Sequence, residues 1–146
     1  MFFGLLALQV KQEMFDWKDF INLAEELISN YNTNYSEALY RTVISRSYYG
    51  IFKQVEDYLD GLNVSLPDMD NKGRGFGSHE KLIRFLRSHN NSQVRRFGDK
   101  LNNLKRKRKK ADYIATENIS KAEAYEAIKD AFDLSNRWDV NIKGII

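Results

Sequence analysis

The sequence predicts an all-α protein, an antiparallel bundle of four to five helices, and three observations lead there. Apolar residues recur at alternating three- and four-residue steps over segments of ten residues or more, which is the period of a helix with one buried face. The 146-residue chain holds a single proline and eight glycines, so few positions interrupt a helix. Turns between the periodic segments are mostly short, which favours neighbouring helices packed side by side. With 42% hydrophobic and 13% aromatic residues, the chain suffices for one domain with a real core.

Residues 1–15 read as an N-terminal apolar extension, 16–140 as the bundle and 141–146 as a C-terminal tail. The stretch FFGLLALQV at 2–10 is too short to span a bilayer and lacks a basic n-region and a small-residue cleavage site. It packs on the domain or on a second copy, or it lies upstream of a natural start at Met14. Asp16 is the expected N-cap of a first helix whose apolar stripe is Phe20, Leu23, Ala24, Leu27, Ile28 and Tyr31, ending in the Asn-rich turn at 30–34. A second helix is predicted from Ser36 to about Asp60, with Gly61 as its stop. Its apolar residues Leu39, Ile44, Tyr48, Ile51, Phe52, Val55 and Leu59 fall on more than one face, which suits a central position.

Residues 61–78 form the one long irregular stretch and include G-R-G-F-G at 73–77. They are read either as a flexible loop or, since Ser78 is placed to cap the next helix, as a phosphate contact at a helix start. A P-loop is excluded, because no strand precedes and no Gly-Lys-Ser/Thr follows. The third helix, from His79 to about Ser88, buries Leu82, Ile83 and Leu86, and the fourth runs from about 92 to 117. Ser120 and Glu123 make a capping box for the fifth, where Ala124, Ile128, Ala131, Phe132 and Ser135 face inward and Trp138 closes the end.

Charge is concentrated. The chain has 23 basic and 20 acidic residues, and setting aside the six consecutive cations at 105–110 leaves 17 against 20, turning a net +3 into −3. Lys105, Arg106, Lys107, Lys109 and Lys110 are thus expected either to form a local patch for a polyanion or to be a solvated helix face. Arg108 differs in phase. The stripe Val94, Phe97, Leu101, Leu104 continues through Arg108, Ala111 and Ala115, which turns this one guanidinium inward, and Asp112 at i+4 is within ion-pair reach.

Most chemistries are excluded by composition. No cysteine, two histidines and no His-Glu-x-x-His argue against zinc. No nucleophile elbow points to Ser-His-Asp hydrolysis, and no repeated Glu-x-x-His pairs point to a di-iron bundle. Neither cofactor nor metal is expected. The lack of cysteine is compatible with a reducing cytoplasm, the expected location. Phosphodiester chemistry without a metal remains, needing a base, an acid and a cation on the phosphate. Arg108 supplies the cation and Asp112 its orienter. Tyr113 can give a proton, but an ordinary phenol pKa near ~10 makes it a poor base. The same pair also reads as a buried structural ion pair.

Three segments, taken in order, resemble one family. R-S-Y-Y-G-I-F at 46–52, S-H-E-K-L-I at 78–83 and R-K-K-A-D-Y at 108–113 are similar to motifs of the small stand-alone HEPN domains of prokaryotes, over residues 16–138. The resemblance implies a four- or five-helix bundle and a homodimer whose motif-bearing helices meet in a basic cleft. It implies RNA binding and, in active members, metal-independent endoribonuclease activity as a toxin of toxin–antitoxin or defence systems. The alternative it carries is a catalytically inactive module that serves as nucleotide- or protein-binding partner of a minimal nucleotidyltransferase, which in such pairs acts as antitoxin. Active HEPN nucleases carry a histidine shortly after the arginine, where this chain has Tyr113, Ile114 and Ala115. His79 matches the histidine that opens the third helix in the small members; it either replaces the missing one or packs at the helix start. Arg46, off the main stripe of the second helix, is a nucleic-acid contact or a surface or dimer-interface cation. Tyr48 follows the core stripe, and Tyr49 beside Arg46 is the base-stacking candidate.

Overall fold

Among the described residues helical periodicity is realised as five α-helices: α1 (Asp19–Asn30), α2 (Ser36–Gly61), α3 (Ser78–Arg87), α4 (Ser92–Tyr113) and α5 (Lys121–Arg137), followed by a π-helical turn, Trp138–Ile142. The computed structural model describes residues 14–68, 72–73 and 75–146, and the N-terminal segment 1–13 lies outside them. The protein is all-α, with no strand among the described residues. No described helix is long and apolar enough to cross a membrane.

The 26-residue α2 is the axis of the bundle, packing against α1, α4 and α5, while α3 packs on α4. Its buried residues Val43, Ile44, Tyr48, Ile51, Phe52, Val55 and Leu59 spread around the helix, as a central element requires. Two glycines let helices approach closely. A Cβ on Gly50 would stand 2.9 Å from both Ile21 Cγ1 and the Trp17 carbonyl oxygen, where α1 crosses α2. One on Gly98 would stand 2.9 Å from Leu86 Cβ and Arg87 Cγ, where α3 crosses α4. Any larger residue at either place forces the helices apart.

The ends of the helices follow local chemistry. Asp16 is not the N-cap of α1: Lys18 holds that position with no side-chain cap, and the Asp16 Oδ1 accepts from Lys18 N at 3.0 Å in the tight turn that leads into the helix. Ser120 and Glu123 form the reciprocal capping box at α5. Asn91, not foreseen, caps α4 by accepting from Gln93 N at 2.8 Å and Val94 N at 3.3 Å.

Four further expectations are corrected. The buried face of α1 is Ile21, Ala24 and Ile28, so Leu23 and Tyr31 are exposed; the close crossing at Gly50 draws Ile21 inward and rotates the helix from the predicted stripe. Ser78 is the first helical residue of α3 and its side chain caps nothing, Gly77 holding the N-cap position. Helix α4 ends at Tyr113 rather than 117, because its last carbonyls are taken by a side chain of α2. Residues 141–146 are not a free tail. Ile142 is buried, Ile146 packs on the core, and the Tyr58 hydroxyl donates to the Lys143 carbonyl at 3.1 Å. Trp138 does close the bundle, buried between Tyr58 and Phe97.

Candidate functional site

The last turns of α4 are held by Arg41 of α2. An α-helix leaves its final four carbonyls without helical partners and carries partial negative charge there. Arg41 meets both needs: Nη1 donates to the carbonyls of Ala111 at 2.8 Å and Lys110 at 3.2 Å, and Nη2 to those of Glu117 at 2.5 Å and Ile114 at 3.1 Å. Glu37, one turn earlier, lies 3.3 Å from Arg41 Nη2 and accepts from Ile119 N at 2.9 Å. That backbone hydrogen bond, with Arg41 beside it, holds the Glu37 carboxyl below its usual range despite the opposing effect of burial. The chain after Tyr113 is therefore turned back across α2.

On this fixed turn Arg108 Nε lies 2.9 Å from Asp112 Oδ2, the i,i+4 pair expected from the sequence, with both side chains about one-fifth to one-quarter exposed. The guanidinium carbon sits 5.7 Å from the Tyr48 ring centre and 5.4 Å from that of Tyr113, within the range in which a cation is attracted to an aromatic face. Ser45 of α2 donates to the same Asp112 Oδ2 at 3.1 Å. Beside this pair, Arg41, Thr42, Ser45, Arg46, Ala111 and Asp112 line a groove of about 290 Å³ between α2 and α4.

Behind Arg108 stand Tyr48 and His79. The Tyr48 hydroxyl lies 2.8 Å from His79 Nδ1, and the imidazole stacks on Phe52 with ring centres 3.9 Å apart. Burial pushes the Tyr48 phenol up, against the opposing charge of Arg108. Burial, followed by the charges of Arg108, Lys105, Lys109 and Lys53, pushes His79 down to about 4. At neutral pH both groups are thus uncharged. Tyr48 is fully buried, so its O–H needs an acceptor, and among the described residues it finds only Nδ1. The proton of the imidazole then resides on Nε2. His79 is left as an N–H donor rather than a base.

The cationic run is not uniform. Lys105, expected on an outer face, is 8% exposed, its Nζ 3.0 Å from Glu80 Oε2, an oxygen pair that also engages Arg84 at 2.8 Å. Lys107 is held between Asp130 at 2.8 Å and Glu126 at 3.0 Å, and Lys110 between Glu123 at 2.9 Å and Glu117 at 3.5 Å. Only Arg106 and Lys109 of the run are exposed and without an ion pair to a described residue. The six-cation patch read from the sequence therefore contracts, because α5 and α3 bring carboxylates alongside.

Arg46 and Tyr49 lie on the far side of the groove. The Arg46 guanidinium carbon is 5.1 Å from the Tyr49 ring centre and 5.5 Å from that of Phe20. Tyr49 meets Phe20 and Trp17 edge to face at 5.6 and 6.0 Å, so it belongs to a half-buried aromatic cluster. One group of carboxylates, Glu56, Asp57 and Asp60, has oxygens close enough to share a cation. Glu56 is already paired with Lys53 at 2.5 Å, and Asp57 accepts from the Trp17 indole, so the group is accounted for without one.

The structure sets Arg108 and His79 against Tyr48, gathers Asp112 and Tyr113 on Arg108, and places Arg46, with Tyr49 beside it, at the groove. Lys105, Lys107 and Lys110 are each ion-paired with carboxylates of the chain. Sequence reasoning missed Arg41 and Ser45. The signal was present, since 41, 45, 48 and 52 fall at steps of four, three and four on one face of α2, a polar continuation of the stripe that carries Tyr48 and Phe52. No protein-family model, no curated protein and no solved structure matches the chain.

Proposed function

We propose that the protein is a HEPN-type homodimer that binds RNA, with Arg108 holding a backbone phosphate. The observation that carries this reading is the pair of groups on the Tyr48 ring, a guanidinium ion-paired at Nε with Asp112 and the neutral imidazole of His79, with the exposed ammonium of Lys109 next to Arg108 in the chain. Such a set is complementary to an oxyanion, and a backbone phosphate is one. Arg46, stacked with Tyr49 and lining the adjoining groove, adds a cation beside it, and exposed Arg106 adds charge on another face of α4.

A second reading, metal-independent cleavage of the bound RNA, is favoured by one observation. Helix α3 supplies His79 on the same Tyr48 ring that Arg108 faces, where the sequence after Arg108 lacks a histidine. Cleavage needs the 2′-hydroxyl deprotonated, and the Tyr48 hydrogen bond keeps Nδ1 occupied, so binding without hydrolysis is the primary reading. The test is a single-stranded RNA incubated with the purified chain in chelator, with binding and cleavage read in parallel against Arg108→Ala. Binding that depends on Arg108, with intact RNA, is the expected result. Arg108-dependent cleavage establishes the second reading. Absence of RNA binding overturns both and leaves the module that partners a nucleotidyltransferase.

A further inference from the structure

We propose that Ser45 is a positioning residue that keeps the terminal nitrogens of Arg108 available for a phosphate; the phosphate-holding role of Arg108 is taken from the reading above. A serine in a helix interior ordinarily turns its hydroxyl back to the carbonyl four residues earlier. Thr42 does this, bonding the Ala38 carbonyl at 2.7 Å. Ser45, three residues on, instead crosses to α4 and donates to Asp112 Oδ2 at 3.1 Å. That oxygen is also the one 2.9 Å from Arg108 Nε. A carboxylate facing an arginine can engage it through the two terminal nitrogens, the fork that also grips phosphate. With Oδ2 tied from the α2 side, Asp112 stays at the Nε edge. Among the described residues the terminal nitrogens of Arg108 form no hydrogen bond, Nε is engaged by Asp112 as an ion pair, and the rings of Tyr48 and Tyr113 flank the guanidinium at 5.7 and 5.4 Å.

The position of Ser45 is itself fixed. Arg41, one turn earlier on α2, binds four carbonyls at and beyond the end of α4, so the two helices cannot slide relative to each other at this level. The groove of about 290 Å³ lined by Ser45, Arg46 and Asp112 leaves room for a phosphate and its flanking sugars beside the pair. Arg41 thus supplies stability, and Ser45 supplies orientation.

The experiment uses the full chain with Ser45→Ala and Ser45→Thr. Two measurements are made: affinity for a single-stranded RNA at fixed salt, and the Nε–H resonance of Arg108 in arginine-labelled protein, assigned by its loss in Arg108→Lys. Ser45→Ala is expected to melt as the wild type does, to weaken RNA binding about fivefold, the scale of one hydrogen bond to a charged group in a partly exposed setting, and to speed solvent exchange of the Arg108 Nε–H. Ser45→Thr, which keeps the hydroxyl, is expected to restore both. Wild-type affinity together with an unmoved Nε–H resonance in Ser45→Ala overturns the proposal. If the wild type itself binds no RNA, the phosphate role of Arg108 fails, while the Nε–H exchange still decides whether Ser45 positions the guanidinium.

Discussion

The Tyr48 hydroxyl lies 2.8 Å from His79 Nδ1, joining the buried middle of α2 to the first turn of α3. The bond holds a neutral imidazole 5.6 Å, centre to centre, from the Tyr48 ring, which the Arg108 guanidinium also approaches at 5.7 Å. Burial and four nearby cations disfavour the imidazolium, so the pair is a device for keeping a histidine uncharged.

That arrangement makes stability depend on pH in a defined window. His79 binds its proton near 4 in the folded chain and near 6.5 when unfolded, so the unfolded state takes up protons first. Stability from this group is complete above about 6.5 and is lost as pH falls toward 4. Urea unfolding of the wild type should weaken over that interval more than that of His79→Gln. Parallel stability curves for the two proteins would show that His79 is not held neutral. The lowered carboxyls of Glu37, Glu80, Glu123 and Asp139 act in the same direction but below about 4.5.

Arg41 is expected to matter for the fold more than any other polar residue near the groove. Arg41→Ala removes the donors for four carbonyls and the cation at the end of α4, and should cost about 1–3 kcal/mol. Arg41→Lys should recover only part of this, since an ammonium cannot reproduce a planar fork. A change below ~0.5 kcal/mol in urea unfolding, typical of an indifferent surface site, would contradict the clamp.

The cations of α4 should separate into two groups when RNA affinity is measured against salt. Neutralising Lys109 or Arg106 should flatten the dependence of log K on log salt by about 0.7 each, as for one released counterion on a single strand. Neutralising Lys107, already held by Asp130 and Glu126, should leave the slope unchanged and lower thermal stability instead. Equal slopes for Lys107→Gln and Lys109→Gln would mean that the intramolecular pairs open on binding.

The fold was legible because helix period and the capping box are local, and each acts within a few residues. Ser120 with Glu123 was readable for that reason, and so was the phase that singled out Arg108. What could not be read were partners from distant segments. Lys105 was placed outside because its helix alone does not reveal Glu80, 25 residues earlier, and α4 was drawn too long because Arg41, about 70 residues earlier, ends it. The stripe of α1 was misphased for a related reason: the crossing at Gly50 decides which face turns inward, and a single-helix pattern containing Phe20, Leu23, Leu27 and Tyr31 is too evenly apolar to decide it. Ser45 lay on a recognisable face, but its purpose required knowing that Asp112 stands opposite.

The central claim is that the Arg108 guanidinium grips an RNA phosphate, and the affinity of a fluorescent single-stranded RNA for wild type and for Arg108→Ala tests it most directly, with circular dichroism confirming equal helix content. The account predicts at least about tenfold weaker binding by the variant, the scale of losing a charge-assisted contact to phosphate. Equal affinity in a folded Arg108→Ala would contradict it.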